Sequence, residues 1–324
     1  MKPLSALVAT LVAVPLLLPQ ETRPPEDLPP TIKVDVDLVN ILASVRDKRG
    51  GLIGNLTKDD FTVYEEGKEQ EIKYFARETD LPLTIGLLVD VSGSQENLIE
   101  VEKQAAYQFL SSVLRKKDMA FLISFGSEAE LLQDFTSSHA LLREGLDKLR
   151  VNSAVGGLHP GPVPTANNPR GTILHDAVYL AATDRLKGEV GRKVIVLITD
   201  GVDQGSRVKL EEAIAAAHRA DAVIYSIYYV DPGIYSRSGG WYRPSDSDLK
   251  KMSEETGGRV FKVSRKNGLP EIFEQIQEEM RSQYAIGYTP EDSEKDGSFR
   301  RIEIKTKDKN QKVQARRGYF ATKT

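Results

Sequence analysis

Residues 84–90 are apolar almost throughout and stop at Asp90, which is followed by Ser92 and Ser94. A buried strand ending in a carboxylate and two hydroxyls presents hard oxygen donors where a parallel sheet opens its ligand crevice. Such donors suit Mg²⁺, Mn²⁺ or Ca²⁺ rather than zinc or copper. The spacing Asp-x-Ser-x-Ser is weak by itself, since average residue usage produces it on the order of once in ten chains of this length. A second apolar run, Val194–Thr199, ends in Asp200-Gly201. Between the two, Gly171-Thr172-Ile173 opens a helical pattern with Thr172 near its start. Two Asp, two Ser and one Thr thus converge from three loops as donors for one divalent cation.

With only two carboxylates in that set, the cation keeps net positive charge and an open position, because Mg²⁺ wants six oxygens and hydroxyls are neutral. The Asp or Glu of a protein partner would fill the gap. The competing reading is local: Asp and Ser ahead of a helix satisfy free backbone N–H groups, and Asp-Gly after a strand makes a turn. Asp203 is placed as a supporting contact behind the donors, Asp176 as a loop-orienting or solvent-facing carboxylate.

These donors need rigid elements beneath them. Nearly continuous apolar runs predict strands at 84–90, 119–125, 193–199, 222–230 and 259–263, as a sheet covered on both faces requires, with a short edge strand at 129–135. Helical spacing, such as Leu98, Val101, Ala105, Phe109 and Val113, predicts helices at 96–115, 138–149, 173–186, 208–219, 246–256 and 267–282. The alternation defines a doubly wound, mainly parallel α/β domain over 81–283. On either side the period is two: Ile32, Val34, Val36, Leu38, then Phe61, Val63, Ile72, Tyr74; and later Tyr284, Ile286, Tyr288, Ile302, Ile304, Val313, Ala315. Each flank is too short to stand alone. The economical arrangement is one small antiparallel β-sandwich made from 31–80 and 284–324, with the α/β domain inserted in it.

Asp90-x-Ser92-x-Ser94, Thr172 and Asp200, in this order, resemble the metal-ion-dependent adhesion site (MIDAS) of the von Willebrand factor type A (VWA) domain. The resemblance covers about 200 residues and implies a Rossmann-like fold that binds a protein ligand through Mg²⁺, with Mn²⁺ or Ca²⁺ as alternatives. The flanking runs Leu56-Thr57-Lys58-Asp59-Asp60-Phe61, Asp80-Leu81-Pro82-Leu83, Gln283–Tyr288 and Arg317-Gly318-Tyr319 are similar to the exported bacterial proteins grouped as VWFA-related, Acidobacterial type. The resemblance also implies that the helix at 267–282 can shift with metal coordination and pull on the sandwich.

Composition narrows the function further. The 324 residues include 44 basic and 47 acidic side chains, for a formal charge of −3, well mixed along the chain. That argues against a nucleic-acid surface. There is no cysteine, which excludes disulfides, thiolate metal sites and cysteine nucleophiles. No Gly-x-Ser-x-Gly elbow or phosphate-binding loop occurs, and His139, His159, His175 and His218 lack metal-ligand spacing, so the expectation is a non-enzymatic protein. His175 is the histidine nearest the donors in sequence. Met1-Lys2-Pro3, the apolar stretch to Leu18 and polar residues 20–23 read as a secretory signal over 1–22, and hence a periplasmic or extracellular protein; an uncleaved anchor is the alternative. No second hydrophobic span follows, and the oligomeric state is left open. Two loops, 152–170 and 231–245, are expected on the metal face, the second carrying Tyr235, Trp241 and Tyr242 as interface anchors or as residues folded back on their own domain.

Overall fold

The computed structural model describes residues 38–77, 81–151, 171–237 and 244–321. The expected leader at 1–22, the expected alternation at Ile32–Val36, the expected loop at 152–170, and Trp241 and Tyr242 lie outside these residues.

The N-terminal flank supplies β1 (Val39–Arg46), β2 (Phe61–Glu65), β3 (Lys68–Gln70) and β4 (Ile72–Arg77). The middle follows with β5 (Leu83–Asp90), α1 (Ile99–Val113), β6 (Met119–Phe125), β7 (Ala129–Thr136) and α2 (His139–Asp147). Next come α3 (Leu174–Leu180), which runs on as a wider π turn to Leu186, then β8 (Arg192–Thr199), α4 (Leu210–Ala220), β9 (Ala222–Tyr228) and the short α5 (Pro232–Arg237). The domain closes with α6 (Ser247–Thr256), β10 (Val260–Lys262) and α7 (Leu269–Arg281). β11 (Tyr284–Tyr288), β12 (Phe299–Thr306), β13 (Lys312–Ala315) and β14 (Gly318–Phe320) form the C-terminal flank.

The central sheet has the order β10-β9-β8-β5-β6-β7, parallel except for the β6–β7 edge pair. Every residue of β5 is buried, and its alternate side chains serve two cores. Ile85, Leu87 and Val89 pack with Phe109 of α1, Leu142 of α2 and Ile276 of α7. Leu88 points the other way, into Leu174, Val178, Ala217 and Met252 of α3, α4 and α6. Helices on both faces are why these strands are apolar at successive positions. The chain leaves β5 toward β6 on one side and returns through β8 on the other, so the strand order reverses between β5 and β8. Ligand crevices form at such a point.

The flanks make two antiparallel sheets, β13-β1-β11-β4 and β14-β12-β2-β3, each mixing strands from both chain ends. Val39, Ile41, Ala43, Val45, Phe61, Val63, Tyr284, Ile286, Tyr288 and Ile302 fill the space between them. Tyr284 anchors this core: its ring lies 5.3 Å from Phe61 and 5.7 Å from Phe75, and its hydroxyl donates to the Ile53 carbonyl at 2.8 Å. One detail corrects the sequence reading. The alternation ending at Leu38 puts even positions inside, whereas β1 buries Val39, Ile41, Ala43 and Val45 and leaves Leu38 exposed. Pairing of β1 with β11 and β13 fixes that register, and a one-residue slip would turn each of these side chains outward.

His218, on α4 where it meets the sandwich, packs edge-on against Phe299 at 5.2 Å. Burial first, and the Arg316 charge second, pull its imidazole down to about 4 from 6.5. The unfolded chain takes up this proton near pH 6.5, the folded one only near 4. The stability contribution is therefore full above about 6.5 and is lost as pH falls through 4. Urea unfolding should show wild type losing roughly 3 kcal/mol more than His218→Gln between pH 7 and 4. Equal losses in the two proteins would contradict this placement of His218.

Candidate metal centre

The ends of β5 and β8 bring Asp90 and Asp200 to the reversal point, and both are fully buried. Because Val89 pairs with Ile198, Asp90 lies beside Thr199, whose hydroxyl donates to Asp90 Oδ2 at 2.6 Å. Asp90 Oδ1 accepts the Ser92 amide at 2.9 Å, turning the chain out of the strand. Ser92 and Ser94 then stand with their hydroxyl oxygens 3.0 Å apart, and Ser94 donates to Asp200 Oδ2 at 2.5 Å. Neither the short turn at 93–95, which Ser92 precedes, nor α1 has a side-chain cap. The hydroxyls face one another and the carboxylate, and the N-cap reading of Ser92 is not what the geometry shows.

Thr172 is 8% exposed and stands two residues before α3, so it does not cap that helix; the N-cap position is Ile173, and no side chain caps there. Its carbonyl accepts the amides of Gln204 and Gly205 at 3.0 and 3.1 Å, tying its loop to the one that leaves Asp200. Among the described residues no hydrogen bond joins the Thr172 hydroxyl to the other four donors. Gly201 lets the chain turn sharply after Asp200: φ is +77°, and a Cβ there would sit 2.1 Å from the Ser245 carbonyl oxygen. Only glycine fits that position without strain.

The carboxylates around the rim have other work. Asp176 Oδ1 accepts the amides of Arg207 and Val208 at 2.9 and 2.8 Å, orienting the β8–α4 loop. Asp203 accepts from Ser206 Oγ at 2.5 Å and from the His175 amide at 3.2 Å. The His175 ring spans Asp203 at 3.5 Å and Asp248 at 3.2 Å, linking α3 to α6. Tyr235, on α5, donates its hydroxyl to Asp200 Oδ2. Burial and that carboxylate keep the phenol protonated well above the usual range. Asp231 fastens the same segment to the metal loop, accepting from Asn97 Nδ2 at 2.7 Å.

Thr199 was not singled out in the sequence because it reads as one more β-branched strand residue. Only its register opposite Asp90 reveals it. Gln95 and Glu102 were missed too. The expected apolar stripe of α1 ran through Val101, yet Val101 is 50% exposed and Glu102 is buried in its place. A charged residue gives no hydrophobic signal, so periodicity passes over it.

The donor set fits a hard cation. It is all oxygen, and Asp90 is pushed up to about 7 by burial first and by the Asp200 charge second, against hydrogen bonds from Ser92 and Thr199. A divalent ion between the two carboxylates would remove that repulsion. Among the described residues no three histidines or carboxylates gather as a metal-holding group.

Residues 84–275 match the von Willebrand factor type A domain family model, and the chain belongs to that family. Domains of this family commonly mediate protein–protein interaction. An uncharacterized protein of Borreliella burgdorferi is 24% identical over 185 residues, covering 54% of this chain and 50% of that protein, so the match spans half of the relative's length. Among solved structures, a von Willebrand factor type A protein from Catenulispora acidiphila aligns at 12% identity with a TM-score of 0.47, over 89% of this chain and 74% of its own. BatB from Bacteroides thetaiotaomicron aligns at 17% identity and 0.45, over 61% and 97%. Proximal thread matrix protein 1 from the mussel byssus, with a zinc-occupied MIDAS motif, aligns at 16% identity and 0.47, over 65% and 48%.

Proposed function

We propose that this chain is an exported, non-catalytic binding protein that engages a protein partner through a divalent cation held by Asp90, Ser92, Ser94, Thr172 and Asp200. The observation that carries this is the meeting of two fully buried carboxylates and two serine hydroxyls at the reversal point of the sheet. The ion, Mg²⁺ with Mn²⁺ or Ca²⁺ as substitutes, would supply a Lewis-acidic position for a partner's Asp or Glu. Ser92 and Ser94 hold the rim of that position, and Thr199 fixes the carboxylate of Asp90 behind it. Tyr235 donates its hydroxyl to Asp200 Oδ2, the same oxygen that Ser94 holds. The leader and the flank motifs shared with exported bacterial proteins support export. Among the described residues no helix is long and apolar enough to cross a membrane.

A second reading makes the domain an assembly module whose metal only fastens the loops. The hydrogen bonds that already join those loops, from the Gln204 amide to the Thr172 carbonyl and from Ser94 to Asp200, favour it. Partner capture from an envelope fraction separates the two. Adhesion through the metal predicts that EDTA and Asp200→Ala each abolish capture. Capture that survives both, with a lowered melting temperature, supports the assembly reading and overturns the first.

A further inference from the structure

Glu102 is 1% exposed in the first third of α1, and neither of its carboxylate oxygens has a hydrogen-bond partner. Gln95, directly after Ser94, is fully buried; its amide nitrogen reaches the Tyr229 carbonyl at 3.4 Å, and its Oε1 is also unpartnered. Orphaned acceptors in a protein interior are costly and uncommon. Here three occur on two side chains, one of them next to Ser94 in the chain, and all lack a donor. Burial, then the charges of Asp90 and Asp200, hold the Glu102 carboxyl well above the usual range, so it lies within the field of both. Hydrogen bonds already tie Asp90 to Ser92 and Thr199, and Asp200 to Ser94, Tyr235 and the Val202 amide. Glu102 alone of the three carboxylates has nothing.

A pocket of acceptors calls for a donor that brings positive charge with it, and a hydrated cation is such a donor. Mg²⁺ keeps several of its waters, and each is a strong donor polarised by the ion. We infer that Glu102, with Gln95, is a positioning residue of the metal centre: from the core side these oxygens accept hydrogen bonds from water held by the cation at Asp90 and Asp200. Glu102 is not itself a ligand, in keeping with the absence of a three-carboxylate metal group among the described residues. Its charge nevertheless counts toward the ion. This inference rests on the metal-binding reading above.

The test is calorimetric titration of the full chain with Mg²⁺ and Mn²⁺, together with melting curves. Glu102→Gln should weaken metal binding about tenfold or more, the range seen when supporting partners of metal sites are removed. The metal-free melting temperature should rise or hold, since a buried carboxyl with no hydrogen-bond partner has gone. General damage to the fold would lower both. Glu102→Asp, which restores the charge, should recover most of the affinity. Gln95→Leu, with Glu102 intact, should cost a smaller factor and serves as the second arm if Glu102→Gln does not fold. Affinities within twofold of wild type in Glu102→Gln and Gln95→Leu, while Asp90→Ala abolishes binding, would overturn the inference alone. No binding by wild type would instead remove the metal reading on which it rests.

Discussion

Asp90→Asn is expected to erase the stabilisation that Mg²⁺ or Mn²⁺ gives the wild-type protein, without weakening the metal-free fold. The amide keeps the shape of the carboxylate, and its remaining oxygen can accept from Thr199 or the Ser92 amide. What disappears is a buried carboxylate that burial first and the Asp200 charge second push up to about 7. A ligand at one hundred times its dissociation constant stabilises the folded state by about 2.7 kcal/mol. Wild type should gain that amount in a thermal or urea unfolding series, and Asp90→Asn none of it. A variant that still gains stability from metal would show that the ion binds elsewhere.

The second large effect lies at the join between the α/β domain and the sandwich. Glu279 of α7 is fully buried and carries two arginines: Arg46 of β1, and Arg259, whose Nε lies 2.9 Å away. Ser44 of β1 donates to its other oxygen at 3.3 Å. Glu279→Ala leaves two guanidinium groups facing a cavity and should destabilise the protein by about 3–5 kcal/mol, as breaking a buried ion pair does. Replacing Arg46 and Arg259 by Met together with Glu279 by Leu should recover much of that loss, because apolar packing removes the desolvation cost of all three charges. Urea unfolding of the single and triple variants checks the triad. A single-variant loss below 1 kcal/mol would mean that the triad is solvated and holds nothing together.

Much of this architecture could be read from the residues. The strand at 119–125 has the observed limits, and the helices expected at 138–149, 246–256 and 267–282 fall within two residues of α2, α6 and α7. The strand is buried on both faces and apolar almost throughout, and each helix buries one continuous face that its apolar spacing marks. The sandwich was harder. β3 is three residues long and mostly polar, and β1 gains its register from β11, almost 250 positions away. Local pattern contains neither fact. The same division holds at the candidate centre. Asp90 and Asp200 stand out because a charge ends an apolar run, and Ser92 and Ser94 by their spacing from Asp90. Thr199, Gln95 and Glu102 are defined by what lies across a strand or beneath a helix, which only the folded chain reveals.

Diffraction from crystals soaked in Mn²⁺ and measured near the manganese edge tests the central claim most directly. The account predicts one strong anomalous peak bounded by Asp90, Ser92, Ser94, Thr172 and Asp200, with direct Mn–O contacts of about 2.2 Å, between the Mg²⁺ and Ca²⁺ ranges. A peak at any other place, or no peak with Ser94 still hydrogen-bonded to Asp200, would contradict it.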